Sequence, residues 1–201
     1  MQTIAQQILQ QAPLARYWAY LNYVERHRKA VQAAGRGLRV PAHTLFFHDW
    51  DKYLPFEFIS YAQNFYNPDG SKKTTNYKES IAFVQAWMNH QHRNKHHWQY
   101  WLKANGKPLY KTKIVVMDDG GAYQIKDGQL VTWSGKLTAE PMEEPFLSEM
   151  IADWRGAGQA ILGDKYTENS TKDWYLANKD KMILSNRTRA WVELYLGLLQ
   201  R

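Results

Sequence analysis

Three large apolar residues run into a histidine and an aspartate at Leu45-Phe46-Phe47-His48-Asp49-Trp50-Asp51-Lys52. Burying an imidazole and a carboxylate is costly unless both are paired or bound. A metal ion satisfies both at once, since neutral imidazole and carboxylate oxygen together suit Zn, Fe, Mn, Ni or Co. The competing reading is a solvated His-Asp at a helix end. Four of the seven histidines fall in Asn89-His90-Gln91-His92-Arg93-Asn94-Lys95-His96-His97-Trp98. On an unbroken helix, His90 and His97 share an inward stripe with Phe83, Trp87, Trp98 and Trp101, while His92 and His96 fall nearly opposite. His90 and His97 would then lie about 10.5 Å apart along the axis. That is too far for both to bind one ion, so one meets metal while the other meets substrate, or both serve substrate. A histidine-rich helix packed on its tryptophans is the alternative. His27 and Asp153 complete the set, each at the edge of an apolar helical face, where an isolated polar residue needs a partner.

The elements that carry these residues follow from periodicity and breakers. Pro13 opens a helix to about Ala34, closed by Gly35 and Gly37, with Tyr17, Tyr20, Leu21, Val24 and Val31 on one face. A second helix runs from Pro41 to about Trp50 and delivers His48 and Asp49. Pro55 starts a third, Phe56 to Tyr66, with Glu57 in its first turn. A polar loop, Asn67 to Lys73, precedes a fourth helix from about Tyr77 to Leu102. Between Lys103 and Glu140 short apolar runs alternate with Gly-bearing turns, the pattern of a three-stranded meander. It is too small to stand alone, so residues 103–140 read as an insertion that either covers an opening or decorates the surface. A fifth helix, Pro145 to about Leu162, buries Phe146, Leu147, Met150, Ile151, Trp154 and Ile161, and Gly156 and Gly158 suggest a second helix passing close. Two more helices carry Asp173-Trp174-Tyr175 and Asn186 to Leu199. The fold class is mostly α, a helical bundle with a small β-meander insertion, and residues 1–201 read as one helical domain.

The 201 residues suffice for a substantial core, and nine Trp and thirteen Tyr make it aromatic. Without cysteine there are no disulfides and no thiolate zinc sites. No apolar run approaches the roughly 18 residues of a membrane span, and Met1 to Gln7 lack the features of a signal peptide. A cytoplasmic location without membrane partners is the default expectation. The formal charge of +7 permits nucleic acid or phosphate partners. The cations are nevertheless spread along the chain, which favours a solvated basic surface over a nucleic-acid site.

The inward polar residues are His27, then His48-Asp49, then His90 with His97, then Asp153, each group on its own predicted helix, a recognised way to build a metal site. Their order, His, then His-Asp, then a distant Asp, resembles the HD-domain superfamily of metal-dependent phosphohydrolases, as does the apolar run into His48-Asp49-x-x-Lys52. The chain is more closely similar to an uncharacterised phage and bacterial family with no assigned function. That likeness rests on Glu25-Arg26-His27-Arg28-Lys29, His48-Asp49-x-x-Lys52, Glu57-Phe58, His97-Trp98, Glu149-Met150-x-x-Asp153-Trp154, and Asp173-Trp174-Tyr175 through Thr188-Arg189. The superfamily resemblance implies an HD-like bundle with His27, His48, Asp49 and Asp153 as ligands of a divalent ion (Mn, Co, Ni, Fe, Zn or Mg). Asp51 departs from the pattern, which more often has a small residue there; an extra carboxylate would either disturb the site or bind a second ion. By position, Glu57 is the acid-base candidate, with His90 and His97 behind it, and Lys52 orients Asp49 or a phosphate. The expected function is hydrolysis of a small-molecule phosphate ester or nucleotide. The alternatives are a non-catalytic metal-containing protein that binds nucleic acid or a protein partner, and a purely structural histidine-rich core.

Overall fold

Tyr20, Val24, His27, Val31 and Gly35 recur at helical spacing and are all buried, so Leu14–Gly37 forms one long helix, α1. Val24 and Val31 are wholly enclosed, each contributing about 1.5–3 kcal/mol relative to an exposed side chain. The helix runs through Gly35, against which Leu45 packs, and ends at Gly37, the second of the two glycines expected to close it. The computed structural model describes residues 14–74 and 80–199. The expected helix starts at Pro13 and Tyr77, and the N-terminal Met1–Gln7 stretch, lie outside the described residues.

The other described α-helices are α2 (Ala42–Phe47), α3 (Pro55–Phe65), α4 (Ile81–Arg93), α5 (Phe146–Leu162), α6 (Ser170–Asn178) and α7 (Asn186–Tyr195). The chain is thus mostly helical. Proline opens α3 at its first position, and Ser80 caps α4 by accepting from the Phe83 amide at 3.1 Å. Two expected helices are shorter than their sequence patterns. α2 stops at Phe47 rather than Trp50, and α4 stops at Arg93 rather than Leu102.

The insertion holds two antiparallel sheets where one meander was expected. The meander is present, as β3 (Ile114–Val116), β4 (Ala122–Lys126) and β5 (Gln129–Thr132) in that order. The second sheet, ordered β2 (Lys107–Pro108), β1 (Leu102–Ala104), β6 (Leu137–Ala139), forms its neck: Leu102 pairs with Ala139 and Ala104 with Leu137. The insertion is firmly rooted in the protein. β3 is buried throughout and alternates its faces. Val116 joins a core with Leu147, Met150, Ile151, Tyr175 and Val192, whereas Val115 and Met117 join Tyr20, Val24, Tyr61 and Phe83.

A third cluster, Val31, Val40, Leu45 and Ala152, ties α1, α2 and α5 together. Here Gly156 allows the expected close approach: a Cβ on it would stand 2.8 Å from the backbone nitrogen of Val31. Gly156→Ala is therefore expected to lower stability by about 1–3 kcal/mol through overpacking. The change would be read as a lower melting temperature at unchanged helical content. Ile161, expected inside, is 56% exposed. The last turn of α5 carries it beyond the core to the rim of a cavity.

Candidate metal centre

The break after α2 places the His-Asp pair. His48 leaves the helical conformation with ψ 124°, and Asp49 adopts the left-handed region at φ 55°. Asp tolerates that region better than most residues. Arg28, next to His27 on α1, holds the break by donating from Nε to the His48 carbonyl (2.9 Å) and from its guanidinium to the Phe46 carbonyl (2.6 Å). These carbonyls lack helical partners at the end of α2, and an arginine at a helix C-terminus satisfies them well. Tyr53, in the short 3₁₀ turn Trp50–Tyr53, receives a hydrogen bond from Arg28 at 3.1 Å and donates to Glu25. Arg28 and Glu25 of α1 thus hold the end of α2 and the turn that follows it.

His27, His48, Asp49 and Asp153 converge. His27 Nε2 lies 3.2 Å from Asp49 Oδ2 and 3.1 Å from Asp153 Oδ1. His48 Nε2 lies 3.5 and 3.3 Å from the same two oxygens, and 3.4 Å from His27 Nε2. Ligands held about 2.0–2.2 Å from one ion stand roughly 2.8–3.6 Å from each other. The observed spacings all fall within that interval, so these donors fit a divalent metal.

A second set gathers around the other oxygen of Asp49. His90 Nε2 is 3.2 Å and His96 Nε2 3.3 Å from Asp49 Oδ1, and His97 offers a nitrogen within 4.8 Å of these ligands. Asp49 Oδ1 and the Nε2 atoms of His90, His96 and His97 are buried and make no hydrogen bond among the described residues. Buried polar atoms normally have partners, and Asp49, His90, His96 and His97 form a group that could hold a metal ion.

Behind both sets, carboxylates fix His48, His90 and His96, whereas His27 Nδ1 is buried without a hydrogen bond among the described residues. Glu149 Oε1 accepts from His48 Nδ1 at 2.9 Å and lies 3.3 Å from His96 Nδ1. His90 Nδ1 lies 3.1 Å from Glu57 and 3.1 Å from Asp51. Holding the proton on Nδ1 leaves each Nε2 lone pair for the centre. Glu57 gives its remaining oxygen to Arg93, and Asp51 also accepts from Asn94 at 2.6 Å. Lys52 Nζ sits 2.6 Å from Asp49 Oδ2.

The expected register of α4 is corrected here. Asn94 leaves the helix at φ −99°, ψ 109°, and its side chain returns to the His90 carbonyl at 3.0 Å, a local bond that competes with helix continuation. The chain turns, and both His96 and His97 enter the site. His96 was expected to face away. His92 does stay out of the site, on the opposite face as expected, where it donates from Nε2 to the Ile114 carbonyl at 2.9 Å. Glu149 was quoted only within a motif, although its place four residues before Asp153 puts both on one face of α5.

Burial alone would lower the His48 pKa, but Asp49, Asp153 and Glu149 outweigh it and push it up to about 10. His90 and His96 are likewise raised against burial by surrounding carboxylates. Burial would raise Asp49 and Asp153, but the neighbouring histidines, with Lys52 for Asp49, hold both well below the usual carboxylate range. His97 is held well below its ordinary value by burial and by the charged His96 and His90. A raised folded pKa stabilises fully below the unfolded value and is lost as pH rises through the folded one. The metal-free protein is therefore expected to lose stability between pH 6.5 and about 10 as His48 deprotonates. The lowered carboxylates add a constant amount across that window. Metal binds the deprotonated ligands, so thermal melts at the two ends, with chelator and with Mn or Zn, should show the trend reversed.

Fold and site together define a mostly helical protein whose chemistry-bearing residues form a buried His-carboxylate cluster able to hold metal. A family model described as a family of unknown function (DUF5662) matches residues 16–198, and the chain belongs to that family. No curated protein and no solved structure matches it.

Proposed function

We propose that the protein is a metal-dependent phosphohydrolase with an HD-like arrangement of ligands, acting on a nucleotide or other phosphate ester. The observation that carries this is the 3.1–3.5 Å spacing of His27 and His48 from each other and from the Asp49 and Asp153 carboxylates. The orphaned donors around Asp49 Oδ1 support a second ion, which Asp49, His90, His96 and His97 would hold. Bound divalent ions would polarise a phosphoryl oxygen and bring the pKa of a coordinated water toward neutrality.

The chain's own groups supply the rest. Lys52 orients Asp49 through Oδ2, the oxygen that faces His27 and His48, so that Oδ1 faces His90 and His96. Glu57, both of whose oxygens are taken, acts by orienting His90 rather than by carrying a proton. Arg93 is half exposed beside it and is placed to receive phosphate charge at the edge of the site. His97, kept from charging by burial and by His96 and His90, would offer its nitrogen to the second set.

The depth of burial favours one other reading, a non-catalytic metal-containing binding protein. Of the four-residue set Asp153 is the most exposed, at 13% of its side chain. The test is a hydrolysis screen of phosphate esters with Mn, Co, Ni and Mg. Turnover that appears with metal and disappears with chelator supports the enzyme; metal retained without turnover of any phosphate compound supports the binding protein.

A further inference from the structure

We propose that the cavity between the helical body and the β insertion is a binding site for an organic ammonium ion with a flat apolar body, that is, an aromatic amine. The proposal is independent of the phosphohydrolase reading, because no residue of the two metal-ligand sets lines this cavity. Its volume is about 770 Å³, within the roughly 300–1,000 Å³ of small-molecule sites. Tyr20 and Tyr23 of α1, with Tyr66 at the end of α3, line it from the helical body. The three rings are neighbours: the centre of Tyr20 lies 6.4 Å from that of Tyr23 and 6.4 Å from that of Tyr66. Tyr123 of β4 and Asp118, in the turn before it, line the cavity from the meander.

That turn is fixed. Asp119 accepts from the Gly121 amide at 2.7 Å and from the Tyr123 hydroxyl at 3.1 Å. A Cβ on Gly120, at φ 84°, would stand 2.9 Å from the Lys181 carbonyl oxygen. Asp119 is thus committed to the turn and to Tyr123, whereas Asp118 makes no hydrogen bond and no ion pair among the described residues. Solvent reaches Asp118, yet burial and the charge of Asp119 push its carboxyl above the ordinary value, against the influence of Lys181. A side chain open to solvent and still walled by protein stands in a concavity. A carboxylate there that lacks compensating charge favours a cation beside it.

The tyrosines select the same sign, because the negative face of an aromatic ring attracts a cation and repels an anion. A flat apolar body packs on the same faces. Tyr20 is 1% exposed and its hydroxyl makes no hydrogen bond among the described residues, so the wall also holds an uncommitted oxygen able to accept from an ammonium group. Two cations line the cavity as well, Lys72 and Lys73. Lys73 donates to the Gln63 carbonyl at 2.8 Å. Lys72 is exposed, where water and salt screen its charge. Asp118 and the ring faces therefore set the sign of the ligand.

The test is isothermal titration calorimetry of full-length protein with tryptamine and with indole-3-propionate, which carries a carboxylate in place of the amine. Tryptamine should bind at least about tenfold more tightly, the effect of one charge-assisted contact. Asp118→Asn should weaken tryptamine by about tenfold and leave indole-3-propionate no weaker. Asp118 has no hydrogen-bond partner to lose, so circular dichroism and melting temperature should be unchanged in that variant. Leu130→Trp, at a lining position on β5 that is 36% exposed, should fill the cavity and block tryptamine. No binding of tryptamine, equal or tighter binding of indole-3-propionate, or an affinity for tryptamine unchanged by Asp118→Asn overturns the proposal. Tryptamine binding retained in Leu130→Trp puts the amine outside the cavity and overturns it too.

Discussion

Asp49→Asn is expected to remove metal from both sets of ligands and to lower hydrolysis by roughly a thousandfold, the equivalent of about 4 kcal/mol. Asp49 is the residue the two sets share, one oxygen facing His27 and His48 and the other His90 and His96. Asn is preferable to Ala because it tolerates the left-handed backbone at φ 55°. The substitution also strips Lys52 of its carboxylate partner. Breaking a buried pair in this way costs about 3 kcal/mol, so the melting temperature should fall as well. Adding Lys52→Met to Asp49→Asn separates the effects: stability should recover while metal content and turnover stay lost. Metal analysis and circular dichroism on the same samples read both. An Asp49→Asn protein with full metal occupancy would move the centre elsewhere.

The second large effect is expected at Glu149. Its Oε1 meets Nδ1 of His48 in one set and of His96 in the other, and it is itself 4% exposed. Glu149→Gln keeps the shape but removes the charge that holds both Nδ1 protons. Outer partners of this kind are typically worth 10–100-fold in metal affinity. Competition with a chelator should show that loss, with kcat largely recovered at saturating metal, because Glu149 positions the ligands without touching the reacting atoms. Unchanged affinity with lowered kcat would contradict the role.

Legibility in the sequence divides by the range of the interactions. α1, α3 and α5 were readable to within a few residues, because each buries one face at regular spacing and α3 opens at a proline. His27, His48, Asp49 and Asp153 stood among the inward polar residues by face or motif, and the HD-like order is what singled out these four as ligands. What escaped depends on contacts between distant residues. The stop of α2 at Phe47 is secured by Arg28, 18 and 20 residues away from the carbonyls it holds. The neck sheet pairs residues such as Leu102 and Ala139, which local alternation cannot register.

The break at Asn94 had a local sign, since Asn competes for backbone hydrogen bonds. The periodicity of the histidines and tryptophans nevertheless continued across it, and His96 was assigned to the wrong face. Asp51 was visible only as a departure from a resembled pattern; the structure gives it a partner, His90 at 3.1 Å. Glu149 could have been found from its spacing to Asp153 alone.

The most direct measurement is metal stoichiometry. Full-length protein, stripped with chelator, reloaded with Mn or Zn and dialysed, would be analysed for bound metal alongside Asp49→Asn. The account predicts two ions per chain in the unaltered protein and none retained by the variant. One ion would contradict the second centre, and no retained metal in the unaltered protein would contradict the account as a whole.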